Sequence, residues 1–157
     1  MDQRNFQSSN FIKPLKVVHT AMTIGCLFFM IIAIFLNSFE NGLAVYGKSF
    51  SLILTYFSFF SLALIPLAYF LFKKNVGKIS ATLSLPDKLF LYRKYYIIKL
   101  AMFEGTFFFC NVCYLLVNAK YILFIALMAL IVLFMNYPNR TTISDDLNLN
   151  DEDFNQI

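Results

Sequence analysis

"YYIIKLAMFEGTFFFCNVCYLL", residues Tyr95–Leu116, decides the fold. At 1.5 Å per residue, a helix over 97–117 matches the roughly 30 Å hydrocarbon core of a bilayer. It has almost no polar face to turn towards water, so a soluble amphipathic helix is a poor fit. Yet the stretch holds a carboxylate, Glu104, and a Cys-x-x-Cys pair, Cys110 and Cys113.

Three other stretches share its character: 15–37, 50–72 and 119–137. The chain is 59% hydrophobic and 14% charged, whereas soluble domains lie near 45–50% and about 25%. Its mean hydropathy is +0.67. These values predict an all-α, polytopic membrane protein with four transmembrane helices. The first span has basic residues before it (Arg4, Lys13, Lys16). Its apolar run exceeds the roughly 7–15 residues of a signal-peptide core, so it reads as a retained span. Residues 97–135 are too long for a single span, and Asn118-Ala119-Lys120 supplies a tight turn between two helices.

Four spans put 11 of the 13 lysines and arginines on one side, leaving only Lys48 and Lys120 opposite. The positive-inside rule then predicts that both termini are cytoplasmic. Residues 1–14 become a cytoplasmic arm, 15–137 the membrane domain with a basic cytoplasmic loop at 73–96, and 138–157 an acidic cytoplasmic tail. Gly42 and Gly47 mark turns in the first outer loop.

The third helix is expected to start near Pro86, with Ser84 as N-cap and Asp87 in the first turn. It would then extend into the cytoplasm before entering the bilayer. Lys73, Lys74, Lys78, Lys88, Arg93 and Lys94 surround this extension, mixed with Tyr92, Tyr95 and Tyr96. Such a cluster attracts anionic lipid headgroups at roughly 1 kcal/mol per residue. The tail carries Asp145, Asp146, Asp151, Glu152 and Asp153, and is expected to fold back on the basic loop. Ser144 is placed as the cap of a short helix there. Asp146 to Asn150 imitates the start of a calcium loop, but Asp151 and Ile157 stand where glycine and glutamate are required.

The cysteines Cys26, Cys110 and Cys113 all fall inside spans and read as small packing residues. The Cys-x-x-Cys pair lies towards a helix C-terminus, away from the helix start or cation that activates redox thiols. His19 is the only histidine, so no metal site is predicted. No cofactor is implied.

Glu104 is the sharper signal. A charged carboxylate at such depth costs about 2.5–3.5 kcal/mol on insertion scales, so it should face other helices. Asn111 and Asn118 follow at i+7 and i+14, making one polar stripe. Thr23 of the first span reaches a similar depth, with His19 a turn nearer the cytoplasm. Pro66 of the second span would free a backbone carbonyl at that level. Glu104, Asn111, His19 and Thr23 form the candidate intramembrane site.

Phe103-Glu104-Gly105 within a span, closely coupled third and fourth spans, and the ending "YPNRTTISDDLNLNDED" (Tyr137–Asp153) form a recognisable combination. In these features the chain resembles small uncharacterised four-span inner-membrane proteins of Bacteroidetes-type bacteria. The resemblance covers mainly the C-terminal half, and Asn139 interrupts the usual Pro-Thr pairing. It implies a bacterial inner-membrane location and no particular activity.

The function expected is that of a non-enzymatic accessory or assembly component. The alternative is a proton- or cation-coupled transport component using Glu104. The partners implied are the bilayer with its anionic headgroups, and a second copy or another membrane protein, with no nucleic acid.

Overall fold

The computed structural model describes residues 11–39, 48–80 and 82–150. These form six helices, and no strand occurs among the described residues. They are α1 (Ile12–Phe39), α2 (Lys48–Ser61), α3 (Leu64–Val76), α4 (Leu85–Val117), α5 (Lys120–Met135) and α6 (Arg140–Leu147). The turns expected at Gly42 and Gly47 and the tail beyond Asn150 lie outside the described residues.

Local chemistry sets the helix ends. Ser84 accepts a hydrogen bond from the Asp87 N–H at 3.4 Å, and Pro86 occupies the first turn. This is the start predicted from sequence. The helix then runs unbroken for 33 residues, about 50 Å at 1.5 Å per residue. It stops at Asn118, whose φ of 54° turns the chain out of the helix. Asparagine tolerates this left-handed conformation better than most residues. Its N–H closes onto the Tyr114 carbonyl at 2.8 Å.

Two expectations change. The predicted second span, 50–72, is broken at Leu62-Ala63 into α2 and α3. Pro66 lies in the first turn of α3, where its ring forbids the ordinary bond to the preceding turn. The predicted fourth span, 119–137, holds a helix of only 16 residues, about 24 Å long. Pro138 follows it, and α6 leaves at 82° to α5. Among the described residues, three helical segments are long and apolar enough to cross a membrane, or four if α5 and α6 count as one bent span.

The short link makes α4 and α5 an antiparallel hairpin. α1 flanks it, and so does the α2–α3 segment, while α1 makes at most passing contact with α2 and α3. α1 and α4 run parallel in a steady register. Asn37 donates to the Tyr114 carbonyl 77 positions on, and Phe29 packs against Phe108, 79 positions on.

α4 is the interior helix. Burial reaches 44% of its most apolar window, against 22% in α1 and 11% in Ser49–Val76. Leu100, Phe103, Phe107 and Cys110 have no exposed surface, and neither do Ala126 and Ala129 of α5. The outside is apolar too: Phe28 is 67% exposed, Phe60 74% and Phe134 68%. Water would penalise so large an apolar exterior, whereas hydrocarbon accepts it. Composition, helix length and exterior together fit a multi-pass membrane protein.

Candidate functional site

The four residues grouped from sequence do not converge. The α1–α4 register sets Cys26, not Thr23, beside Glu104, and the thiol lies within electrostatic reach of the carboxylate. His19 is buried, and its Nε2 pairs with the Leu133 carbonyl of α5 at 2.8 Å. Its ring also meets Tyr137 edge-on at 5.3 Å. Thr23 donates to the His19 carbonyl of its own helix at 2.9 Å. His19 therefore serves the α1–α5 seam, while Thr23 bonds within α1. Depth matching along one axis misjudged them, because it carries no information on which neighbour a helix face meets.

Asn111 is fully buried and donates to the Phe107 carbonyl at 3.0 Å, one turn back on α4. Its Oδ1 has no hydrogen-bond partner, and neither does the buried Oδ1 of Asn37. Glu104, Asn111 and Asn118 do follow one another along α4 and its cap, but no hydrogen bond joins them. Glu104 is half-buried and has no hydrogen-bond or ion-pair partner among the described residues.

Pro66 also behaves otherwise than expected. The carbonyl it would have bonded, that of Leu62, accepts the Ile65 N–H at 3.1 Å. The carbonyls released at the break are those of Ser58 and Ser61. Ser58 O accepts the Ser61 hydroxyl at 2.7 Å and the Cys110 thiol at 3.9 Å. Ser61 O accepts, at 3.4 Å, a shared bond from the Thr106 hydroxyl of α4, whose closer acceptor is Met102 O at 3.0 Å. A broken span needs such substitutes, since hydrocarbon supplies no hydrogen-bond partners. This gives Cys110 a structural task, as a weak donor over an open backbone turn. Ser61 and Thr106 were missed from sequence because their role appears only once the break is located.

A second polar assembly lies at the other missed residue, Lys99, near the end of the bundle that carries most of the lysines. Lys99, one of the 11 cations assigned from sequence to the cytoplasmic side, is 7% exposed and sits inside the bundle. Its ammonium lies 4.1 Å from the Phe72 ring centre, 5.0 Å from Tyr96 and 5.4 Å from Tyr69. Cation–π attraction of this kind reaches about 2 kcal/mol where water is excluded. The signal was present in the sequence: Tyr92, Tyr96, Lys99 and Phe103 follow helical spacing on one face of α4.

Tyr92 and Tyr96 stack at 6.1 Å and extend this assembly towards α6. The Tyr92 hydroxyl donates to Asp146 at 3.1 Å, and the Tyr96 hydroxyl to the Asn136 carbonyl. Ile143 of α6 is fully buried. The first part of the acidic tail thus docks near the basic loop, through a tyrosine and an isoleucine. Ser144 lies within α6, and Asn139 takes the cap position assigned to it. Of the sequence-predicted cations, Lys73, Lys74, Lys78, Arg93 and Lys94 are exposed. Lys88 is half-buried and lines a cavity of about 140 Å³ with Asp146.

No protein-family model, no curated protein and no solved structure matches this chain.

Proposed function

We propose that this chain is a four-span membrane protein with both termini cytoplasmic, acting without catalysis as an assembly component that pairs with a second copy of itself. The observation that carries this reading is the Glu104 carboxyl, without a hydrogen-bond or ion-pair partner among the described residues, in a notch of small residues. Ala21 and Gly25 on α1, and Ala101 and Gly105 on α4, are all exposed. A Cβ added at Gly25 or Gly105 would meet nothing within 4 Å. The Phe29–Phe108 contact ties the two stripes together, because Phe29 follows Gly25 by one turn and Phe108 follows Gly105 likewise. Small residues at such spacing let helices approach closely in a bilayer. A twofold axis along the membrane normal would bring the two Glu104 side chains to the same depth. Two neutral carboxylic acids satisfy each other, since each both donates and accepts.

Oxidation of a Gly105→Cys variant in native membranes should give a covalent dimer. Met128→Cys, at an exposed site on α5, should not. The native cysteines are buried and should contribute little background. Absence of trapping at 105, or equal trapping at 128, would remove the reading.

The rival reading, proton- or cation-coupled transport through Glu104, is favoured by the same missing partner. Glu104→Gln separates the two. An amide still donates and accepts, so the dimer should persist, and Glu104→Leu should weaken it. A transport role would instead be lost in Glu104→Gln.

The orientation rests on the lysine and arginine bias, and the bacterial inner membrane on the resemblance of the C-terminal half. In this arrangement the N-terminal turns of α4 project from the bilayer into the cytoplasm. Compartment reporters inserted at 78–82 and at 40–47 should report opposite sides. A shared compartment would overturn the topology.

A further inference from the structure

The elbow between α5 and α6 and the adjoining face of α4 enclose a polar cavity of about 90 Å³. Tyr92, Tyr96, Lys99, Asn136, Asn139 and Thr142 are among its lining residues. Three features suit it to an anion. First, Lys99 is 7% exposed as a residue, and its ammonium has no hydrogen bond or ion pair among the described residues. The three surrounding rings take part of its charge but leave its N–H donors without oxygen acceptors.

Second, α6 begins here without a side-chain cap. The first backbone bond of that helix joins the Ile143 N–H to the Asn139 carbonyl. The N–H groups of Arg140, Thr141 and Thr142 are left over, as at any helix start. Such a terminus favours negative charge. Third, more positive charge stands close by: Lys16 lies 5.5 Å from the centre of the Tyr137 ring, another lining side chain. The acid facing this region, Asp146, accepts from the Tyr92 hydroxyl, lines a different cavity and offsets only part of the Lys99 charge.

We propose that this cavity binds one phosphate group, held between the Lys99 ammonium and the first turn of α6, with the Thr142 hydroxyl as a further donor. The group belongs either to an anionic lipid headgroup reaching in at the membrane surface or to free inorganic phosphate. The proposal is independent of pairing through the Glu104 notch.

The test uses the full chain in nanodiscs of neutral phosphatidylcholine, titrated calorimetrically. One arm adds dioctanoyl phosphatidic acid and the other inorganic phosphate. Saturable binding is expected in at least one arm, and the arm that shows it identifies the source. Lys99→Met should weaken that binding by about tenfold or more, because a charge-assisted bond is lost. Thr142→Val should weaken it less, and provides a second reading if Lys99→Met folds poorly. Lys94→Gln, at an exposed cation, should leave binding nearly unchanged. No saturable binding in either arm would overturn the proposal. So would wild-type affinity in Thr142→Val together with wild-type affinity or failure to fold in Lys99→Met.

Discussion

Ala126→Phe is expected to drive α5 off α4 and to cost more than any other single substitution considered for this chain. Ala126 has no exposed surface and lies on α5, whose main neighbour is α4. Overpacking a filled core typically costs about 1–3 kcal/mol and occasionally more. Here the upper end is expected. In a bilayer, helix association draws on close contact between backbones. A ring at 126 removes that contact over about a turn on either side. The two-residue link Asn118-Ala119 leaves the hairpin little slack. The measurement is the thermal midpoint followed by far-ultraviolet circular dichroism in mild detergent. A midpoint within a few degrees of wild type would show that the seam is loose.

Phe107→Ala is the second large effect. Phe107 is fully buried on α4 and touches Phe108 ring to ring at 5.6 Å. In water-soluble cores such a truncation costs about 3–5 kcal/mol. Part of that cost is transfer from water, which falls away where the alternative environment is lipid. The cavity and the lost dispersion contacts remain, so about 2 kcal/mol is expected. The expected order is therefore Ala126→Phe, then Phe107→Ala, then Phe60→Ala near zero, since Phe60 is 74% exposed. A large loss at Phe60 would mean that its face is covered by protein.

Much of this fold was legible in the sequence because its signals are local. Ser84, Pro86 and Asp87 announce the start of α4, and Asn118 announces its end. Both depend on backbone chemistry within four residues. The break at Leu62-Ala63 was harder to read. Pro66 gave a warning, but the break works only because Ser61, Thr106 and Cys110 complete the carbonyls freed at Ser58 and Ser61. Two of those three donors belong to a helix distant in sequence.

The candidate site was least legible. His19, Thr23 and Glu104 occupy similar depths, but rotation about a helix axis decides contact, and an apolar helix gives few clues to it. Lys99 was hidden for a related reason. Lysine near a predicted boundary reads as a solvated cation until Tyr69 and Phe72 arrive from another helix to enclose it.

The placement of α4 also bears on biosynthesis. α1 and the α2–α3 segment emerge from the ribosome first, yet each packs mainly on a helix that has not yet been made. Until α4 is inserted, those earlier segments have no common surface, and they must be stored as separate rods by lipid or by the insertion machinery. Nascent chains stalled before residue 85 should therefore remain open to proteases and to chaperones. Compaction should come late and abruptly, when the α4–α5 hairpin enters between them.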